Sequence, residues 1–316
     1  MMDYIKTDLA LEAAEPFRKQ KKDIEGVIID EDYDEANDIL VTAVDIKDDR
    51  GAEKLGKPAG MYITLEAPGL SEPDEGYHKE ITEVLRKQLN RLVPEVDRKK
   101  ILVGGIGNRE ITPDALGPLV VEHLFITRHL IRNYGENTDV TRGLGNVSAI
   151  APGVMAQTGM EGREILKGII DSTKPDVVMI IDALAARSTR RLNRTIQLTN
   201  TGIWPGAGVG NHRNELTERT LGIPVIAIGI PTVIDAATIV SDTMSHLLEV
   251  LENERGFHEA YEATKSFDHQ EKYMLMRELM EPMMADMFVT PKDIDETIAR
   301  ISFTISEAIN GLCHHI

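Results

Sequence analysis

A unit made of an apolar strand, a loop rich in glycine or proline and a helix occurs three times in the chain, and this recurrence constrains the fold most. The three runs are almost continuously apolar, which is typical of strands buried on both faces. Such strands alternating with helices predict an α/β fold, with a mostly parallel sheet sandwiched by helices. The three strands are Lys100–Ile106, Val177–Ile181 and Pro224–Ile230, and their helices are predicted to begin near Pro113, Ala183 and Asp235.

Further segments extend this pattern at both ends of the chain. Residues Glu75–Leu92 have helical spacing. A last helix is predicted from Thr290 as its cap, Pro291 in its first turn and a stripe of isoleucines that starts at Ile294. Residues 1–35 are charged and only weakly periodic, and no element is predicted there. The other predicted strands are Asp38–Ile46, Met61–Glu66, Val147–Ala151 and Thr195–Thr199, the first two joined by a turn around Lys57.

The charge and the apolar content restrict where the protein works. The formal net charge is −17, from 35 basic and 52 acidic residues, so direct binding to nucleic acid or to an anionic membrane is not expected. No run approaches the roughly 20 apolar residues that span a bilayer, and the first ten residues lack the apolar part of a secretory signal. The single cysteine, Cys313, fits a reducing compartment and is expected in a frayed tail. We therefore expect a cytoplasmic protein.

Two aspartates follow the buried strands, where an open α/β sheet usually carries its chemistry. Asp114 lies after Lys100–Ile106, and Asp182 directly follows Val177–Ile181. Each has a purely structural alternative, Asp114 as an acid in the first turn of a helix and Asp182 as a helix N-cap. If the two carboxyl groups meet, like charges in a partly desolvated cleft separate their pKa values, so that one acts as acid and the other as base on water.

Other catalytic schemes have little support in the sequence. Neither the G-x-S-x-G nor the H-E-x-x-H motif occurs, and the nine histidines do not fall at ligand spacings, so no metal and no cofactor are expected. Gly105 and Gly107 follow a strand but lack the third glycine of a dinucleotide fingerprint. The loop Gly202–Asn211 is either an anion cradle or an ordered loop over the sheet edge.

Four arginines form a cluster that stands out in so acidic a chain. Guanidinium groups bind carboxylates in a bidentate manner, so the cluster is a candidate for holding acidic side chains of a peptide. A role in surface or subunit ion pairs is the open alternative. The four residues are Arg187, Arg190, Arg191 and Arg194.

Long blocks of the sequence resemble the germination protease of spore-forming bacteria, and the likeness runs through most of the chain. Blocks of this length and number are far more specific than any short motif. They are Lys6–Ala13, Gly56–Pro58, Tyr62–Pro68, Thr112–Pro118, Thr127–Leu130, Ser148–Met155, Ile181–Ser188, Gly208–Asn211 and Gly222–Gly229.

The resemblance implies an endopeptidase that starts the degradation of small acid-soluble spore proteins during germination. Members of that family are homotetramers that cut after Glu or Asp, before a hydrophobic residue followed by alanine. They are made as zymogens, and Asp8, Leu9 and Ala10 satisfy their cleavage rule. Autoprocessing between Asp8 and Leu9 would then remove a propeptide, residues 1–8. It would leave residues 9–316 as a single α/β peptidase domain, with an N-terminal β extension and C-terminal helices.

The resemblance also implies a mechanism, a fold group and a location. The family is regarded as an atypical aspartic-type protease without a metal, and its two essential aspartates map by motif onto Asp114 and Asp182. Its fold is similar to that of hydrogenase maturation proteases, in the phosphorylase/hydrolase-like group. The expected location is the cytoplasm of the forespore and the spore core. Two other functions stay open: a nucleoside phosphorylase-like enzyme, for which the Gly202–Asn211 loop is the main support, and a non-catalytic binder of the spore proteins.

Overall fold

The sheet is the central element of the computed structural model, which describes residues 24–206, 214–252, 269–280 and 287–315. Within these residues nine strands form one sheet, in the order β1-β2-β3-β7-β8-β6-β4-β5, with β9 paired to β8. The strands are β1 (Val27–Asp34), β2 (Ile39–Ile46), β3 (Gly60–Glu66), β4 (Lys100–Gly105), β5 (Asn146–Ile150), β6 (Val177–Ala186), β7 (Thr195–Thr199), β8 (Val225–Asp235) and β9 (Phe288–Val289).

The α/β prediction is confirmed, and the sheet has two halves of different connectivity. Strands β5, β4, β6 and β8 are parallel to one another, as the recurring strand–loop–helix unit predicts. Strands β1, β2, β3 and β7 are antiparallel, and β7 joins this half to β8. The whole sheet is therefore mixed rather than mostly parallel, because β1, β2, β3 and β7 add an antiparallel half to the predicted parallel core.

Helices cover both faces of the sheet. The first face packs against α2, α3 and α10, with the isoleucine stripe that starts at Ile294 fully inside. The second face of the parallel half packs against α6, through Leu166 and Ile170. The helices are α1 (Asp49–Leu55), α2 (Glu75–Leu92), α3 (Leu116–His123), α4 (Arg128–Tyr134), α5 (Met155–Thr158), α6 (Gly162–Thr173), α7 (Glu218–Leu221), α8 (Ala236–Glu252), α9 (His269–Met280) and α10 (Ile294–Cys313).

One local prediction is wrong, and two elements, helix α1 before the predicted turn around Lys57 and strand β1, were not predicted. No helix begins near Ala183, because β6 continues to Ala186 and pairs with β8 along that stretch. The connection between β2 and β3 contains helix α1, which Asp48 caps by accepting from the backbone N–H groups of Arg50 and Gly51. Strand β1 lies in the charged N-terminal region, where no element was predicted.

The C-terminus is held tightly, which contradicts the expected frayed tail. Cys313 is fully buried at the end of α10, and burial raises the pKa of its thiol to about 12. His314 accepts a hydrogen bond at Nδ1 from Gly145 N (3.2 Å), and its Nε2 lies 3.1 Å from the Phe125 carbonyl oxygen. The helix starts later than predicted, at Ile294, and the Thr290 hydroxyl instead donates to the Thr232 carbonyl.

Candidate active site

The candidate site lies where β4 ends and its neighbour β6 continues. The last paired residue of β4, Gly105, lies opposite Ile181 of β6. The next amide, Ile106 N, donates to Ile181 O at 2.8 Å, and the chain then leaves the sheet. Strand β6 extends to Ala186 and β8 to Asp235. Strand β4 therefore ends before β6 and β8 do, and we call the point where β4 ends and β6 continues the step of the sheet. Ligands commonly bind at the carboxyl ends of strands in α/β proteins.

Asp182 lies on this step, inside strand β6. Its neighbours Ile180 and Leu184 belong to the core cluster of the second face, so strand alternation places the Asp182 side chain on that face too. The residue is only 3% exposed, and its Oδ1 accepts from the N–H of Ala183 at 3.0 Å. It does not cap a helix, because the strand continues beyond it, so the structural alternative for Asp182 is wrong.

Asp114 ends a short 3-10 turn, Thr112–Asp114, just before α3. Its Oδ2 accepts a hydrogen bond from Asn108 N at 2.8 Å, which fixes the carboxylate over the start of the loop. Gly107 is required there, because its φ is 125° and a Cβ at this position would overlap the carbonyl oxygen of Asp114. The Thr232 hydroxyl of β8 donates to the Pro113 carbonyl at 2.6 Å and ties the turn to the sheet.

The two aspartates are brought to the same edge of the sheet. Cα atoms of the Thr112–Asp114 turn lie within 8 Å of Cα atoms of β6 and of β8. The loop that carries Asp114 starts at Ile106, whose amide bonds to the residue preceding Asp182. These contacts concern the backbone of the turn, and the meeting of the two carboxyl groups and their catalytic roles stay predictions.

A polar junction at Asn108 joins the Asp114 loop to a second loop, and the sequence gives no signal for it. Asn108 Oδ1 accepts from Glu110 N at 3.0 Å and from the Gln157 side-chain amide at 3.1 Å. The Gln157 carbonyl oxygen in turn accepts from Val154 N at 3.4 Å. Because Gln157 is 49 positions from Asn108 and belongs to no motif, only the folded chain reveals that it supports the Asp114 loop.

The arginine cluster is divided by the fold. Arg191 is buried, at 6% exposure, and its Nε lies 3.7 Å from Glu66 Oε1. Arg190 and Arg194 are exposed, and Arg187 is half-buried. The segment carrying them is anchored to α8, because the Asp242 carboxylate accepts from Ser188 Oγ and from Thr189 N. The cluster thus offers two guanidinium groups to solvent and one to the interior.

Some predicted features lie outside the described residues or are not tested by them. Asp8 and Leu9 lie outside the described part of the chain, as does much of the Gly202–Asn211 loop.

Within the described ranges, no three or more His, Cys, Asp or Glu side chains are grouped so that they could hold a metal ion. The same ranges contain no helix with the length and apolar character needed to cross a bilayer.

Comparison with known sequences places the chain among the peptidases. The model of the family described as germination protease, Peptidase_A25, matches residues 5–268. That match spans well over half of the chain, so the chain belongs to the germination protease family.

Several relatives match over nearly their whole length. The germination protease of Caldanaerobacter subterraneus subsp. tengcongensis is 45% identical over 311 residues, which is 97% of this chain and 93% of the relative. That of Clostridium perfringens is 43% identical over 97% of this chain and 94% of the relative. That of Bacillus mycoides is 38% identical over 98% of this chain and 94% of the relative.

Among solved structures, the chain is similar to the [NiFe] hydrogenase maturation protease HycI of Thermococcus kodakarensis. The similarity has a TM-score of 0.27 at 19% identity and covers 52% of this chain and 99% of that chain. The sequence resemblance implied a fold of this group, and at this score the match adds no further argument.

Proposed function

We propose that this protein is the endopeptidase that starts the breakdown of small acid-soluble spore proteins during germination, in the cytoplasm of the spore. It cuts after Glu or Asp, before a hydrophobic residue followed by alanine. The observation that carries the proposal is the arrangement of Asp114 and Asp182 at one edge of the sheet, in a chain that belongs to a peptidase family. The small acid-soluble spore proteins are its expected partners, as substrates.

The proposed mechanism uses the two carboxyl groups as a pair that shares one proton. The ionised member removes a proton from water, and the oxygen of that water attacks the peptide carbonyl. The protonated member donates its proton to the carbonyl oxygen and stabilises the developing charge. In the second step the proton taken from water passes to the amide nitrogen, a hydroxyl of the intermediate returns its proton to the other carboxylate, and the C–N bond breaks. Burial of Asp182 and the hydrogen bond from Asn108 to Asp114 support different environments for the two groups, which is how paired acids take opposite roles.

Substitution of each aspartate tests the mechanism. Asp114→Asn and Asp182→Asn should each lower kcat by at least about 1,000-fold on a peptide with the preferred site, because each removes one partner of the proton transfer. Asp176→Asn is the matched control. Asp176 also lies at the junction of β4 and β6, at the opposite end, where its carboxylate accepts from Lys100 N. Circular dichroism confirms that each variant is folded.

The two possible failures are distinct. If Asp114→Asn retains most of the activity, Asp114 is not catalytic, and the same applies to Asp182. If the wild-type protein does not cut the peptide, the proposed specificity is wrong. Phosphate-dependent release of a free base would favour the phosphorylase alternative, and binding of the spore proteins without fragments would favour the binder.

Autoprocessing is proposed at the bond between Asp8 and Leu9. Wild-type protein should lose a mass equal to residues 1–8, whereas Asp182→Asn protein should keep it. Loss of the same mass from the inactive variant in purified form would assign the cut to another protease.

Two further features belong to the proposal. The exposed Arg190 and Arg194, with Arg187 beside them, attract acidic side chains of the substrate, so Arg190→Gln with Arg194→Gln should weaken the dependence of kcat/KM on salt.

The protein is proposed to be a homotetramer that acts without a metal or cofactor. Light scattering after gel filtration measures the mass of the assembly, and full activity in the presence of a chelator would support the metal-free mechanism.

A further inference from the structure

A cavity of about 230 Å³ lies on the first face of the sheet, between the edge strand β1 and helix α2. Val41 and Ala43 of β2, which belong to the main core, form its floor. Asp32 is paired with Val41 and Asp30 with Ala43, so both carboxylates lie on the same face, at one side of the cavity. None of its described lining residues belongs to the candidate active site.

Two basic side chains of α2, Lys87 and Arg91, line the opposite side of the cavity. They are four positions apart, which places them on one face of the helix. Among the described residues, no hydrogen bond or ion pair joins either of them to Asp30 or Asp32, and all four charged side chains are exposed. Charges of both signs therefore face one cavity without being paired to each other.

Gln88 lies between the two basic residues and is the buried polar group of this cavity. It occupies the core-facing stripe of α2, beside Leu85 and Leu89, and is only 5% exposed. Its Oε1 has no hydrogen-bond partner among the described residues. An unpartnered amide destabilises a core position that leucine would fill without this cost. Rotation of the amide presents either its oxygen or its nitrogen to the cavity, so it can accept from or donate to a ligand there.

The charges restrict the kind of ligand that fits. The two carboxylates repel a simple anion, and the two basic groups repel a simple cation. A molecule with one ammonium and one carboxylate group satisfies both sides, and the floor of Val41 and Ala43 suits a short aliphatic part. The volume of about 230 Å³ is below the range of about 300–1,000 Å³ that is usual for drug-sized ligands, so the ligand is small.

We propose that this cavity binds a free amino acid with a short aliphatic side chain. The ammonium group donates to Asp30 and Asp32, and the carboxylate accepts from Lys87 and Arg91. The Gln88 amide donates to the same carboxylate from the buried side. Binding ties α2 to the edge strand and stabilises the folded chain. The inference is independent of the proposed peptidase function, because none of these residues takes part in that mechanism.

The test is isothermal titration calorimetry on the full-length protein with three probes. L-Valine carries both charges and a short aliphatic side chain. N-acetyl-L-valine amide has the same side chain without the charges, and the dipeptide valyl-valine separates the two charges by one more residue. Wild type should bind L-valine with a Kd of about 1 mM or lower and should not bind the uncharged derivative. Its melting temperature should rise with the concentration of L-valine.

Variants of the buried amide separate binding from stability. Gln88→Leu should raise the melting temperature of the free protein and weaken L-valine binding at least about tenfold. Thr42→Val is the matched control, because it also removes a buried polar group without a partner, from the opposite face of β2. It should raise the melting temperature in the same way and bind L-valine like wild type.

Variants of the charged residues test the two sides of the cavity. Asp32→Asn and Arg91→Gln should each weaken L-valine binding about tenfold or more, because each removes a charged hydrogen-bond partner of the ligand. Arg132→Gln, at an exposed position of α4, should leave the affinity unchanged.

Four outcomes would overturn the site. If wild type does not bind L-valine, the cavity holds only water. If Gln88→Leu or both charge variants bind L-valine like wild type, the lining residues do not recognise it. Equal affinity for the uncharged derivative would show that the charges are not read. Binding of valyl-valine without binding of L-valine would assign the cavity to a peptide instead of a free amino acid.

Discussion

The parallel and antiparallel halves of the sheet differ in what they bury. In the parallel half, β6 alternates between two apolar cores, with Ile181 on the first face and Ile180 on the second. In the antiparallel half the first face is apolar, whereas the second face combines an apolar cluster that includes Val44, Ile46 and Tyr62 with buried threonine and glutamine. The comparison teaches that burial alone does not identify a core. Burial of apolar groups stabilises the parallel half, whereas the buried polar groups of the antiparallel half are expected to contribute less to stability.

The sharpest test of this contrast compares one buried side chain from each half. Ile180→Ala should lower the free energy of unfolding by about 2–5 kcal/mol, because it removes apolar contacts and leaves a cavity. Thr64→Val, on the same face of β3, should change it by less than about 1.5 kcal/mol. Urea denaturation measures both. Equal losses would show that the two halves contribute to stability in the same way.

The second test concerns the loop that follows β4 in the parallel half and carries Gly107 and Asp114. Gly107→Ala forces a side chain onto a φ of 125° and against the Asp114 carbonyl, so we expect a loss of about 1–3 kcal/mol in stability together with most of the activity. Gly159→Ala is the control. Gly159 also has positive φ, but a Cβ there meets no atom within 4 Å, so activity should remain. Equal activity of the two variants would mean that the Asp114 turn is not held by Gly107.

The third test compares the two outer edges of the sheet. The β5 edge is covered, because Thr127 N donates to Val147 O, and His314 secures the neighbouring loop through Gly145. Burial lowers the pKa of His314 from its usual 6.5, since the imidazolium form is poorly solvated there. The lowered pKa means that the unfolded chain binds the proton more readily. The contribution of neutral His314 to the free energy of unfolding is therefore complete well above pH 6.5 and is lost as the pH falls below that value.

Melting temperatures between pH 5 and 8 measure this effect. Wild type should lose stability on acidification, and His314→Gln should be less stable at pH 8 and lose less on acidification. Part of the pH dependence should remain, because burial also lowers the pKa of His78. His129→Gln, an exposed histidine on α4, should behave like wild type. Identical pH profiles for wild type and His314→Gln would exclude this role.

The smallest effect on stability is expected at the β1 edge, where acidic residues are exposed. Asp30 and Asp32 are exposed on this strand, and charged edges oppose pairing with other chains. Asp30→Asn with Asp32→Asn should change the free energy of unfolding by less than about 0.5 kcal/mol but increase aggregation, measured by light scattering during storage. Unchanged aggregation would show that charge is not what protects this edge.

The elements that follow from local pattern were predictable, and those decided by distant partners were not. Helix α2 and strand β7 have the predicted bounds, because a clear period and short flanking turns determine both. The Ala183–Ala186 segment favours a helix by composition, yet pairing with β8 keeps it in a strand, so tertiary context overrides propensity. Cys313 is buried because α10 packs across the sheet, which its position near the chain end does not reveal.

The candidate site was predictable only in part. Asp114 and Asp182 could be found because both follow apolar strands, and sheets of this class place chemistry there. Gln157 could not be found in this way, since its relation to the Asp114 loop depends on a contact between two loops. The arginine cluster is contiguous in sequence, but its members separate between interior and solvent once the chain turns at Ser188.

The alignment of β6 with β8 restricts which changes of sequence length this protein can tolerate. Asp182 lies on the second face of the sheet because β6 is held in one alignment with β8. A slip of one residue would turn the carboxylate into the packed isoleucines of the opposite side, an alignment that a buried anion makes very costly. Burial of the Asp182 carboxylate therefore favours a single alignment of β6 with β8. Insertions and deletions in β6 should be tolerated only beyond Asp182, and not before it.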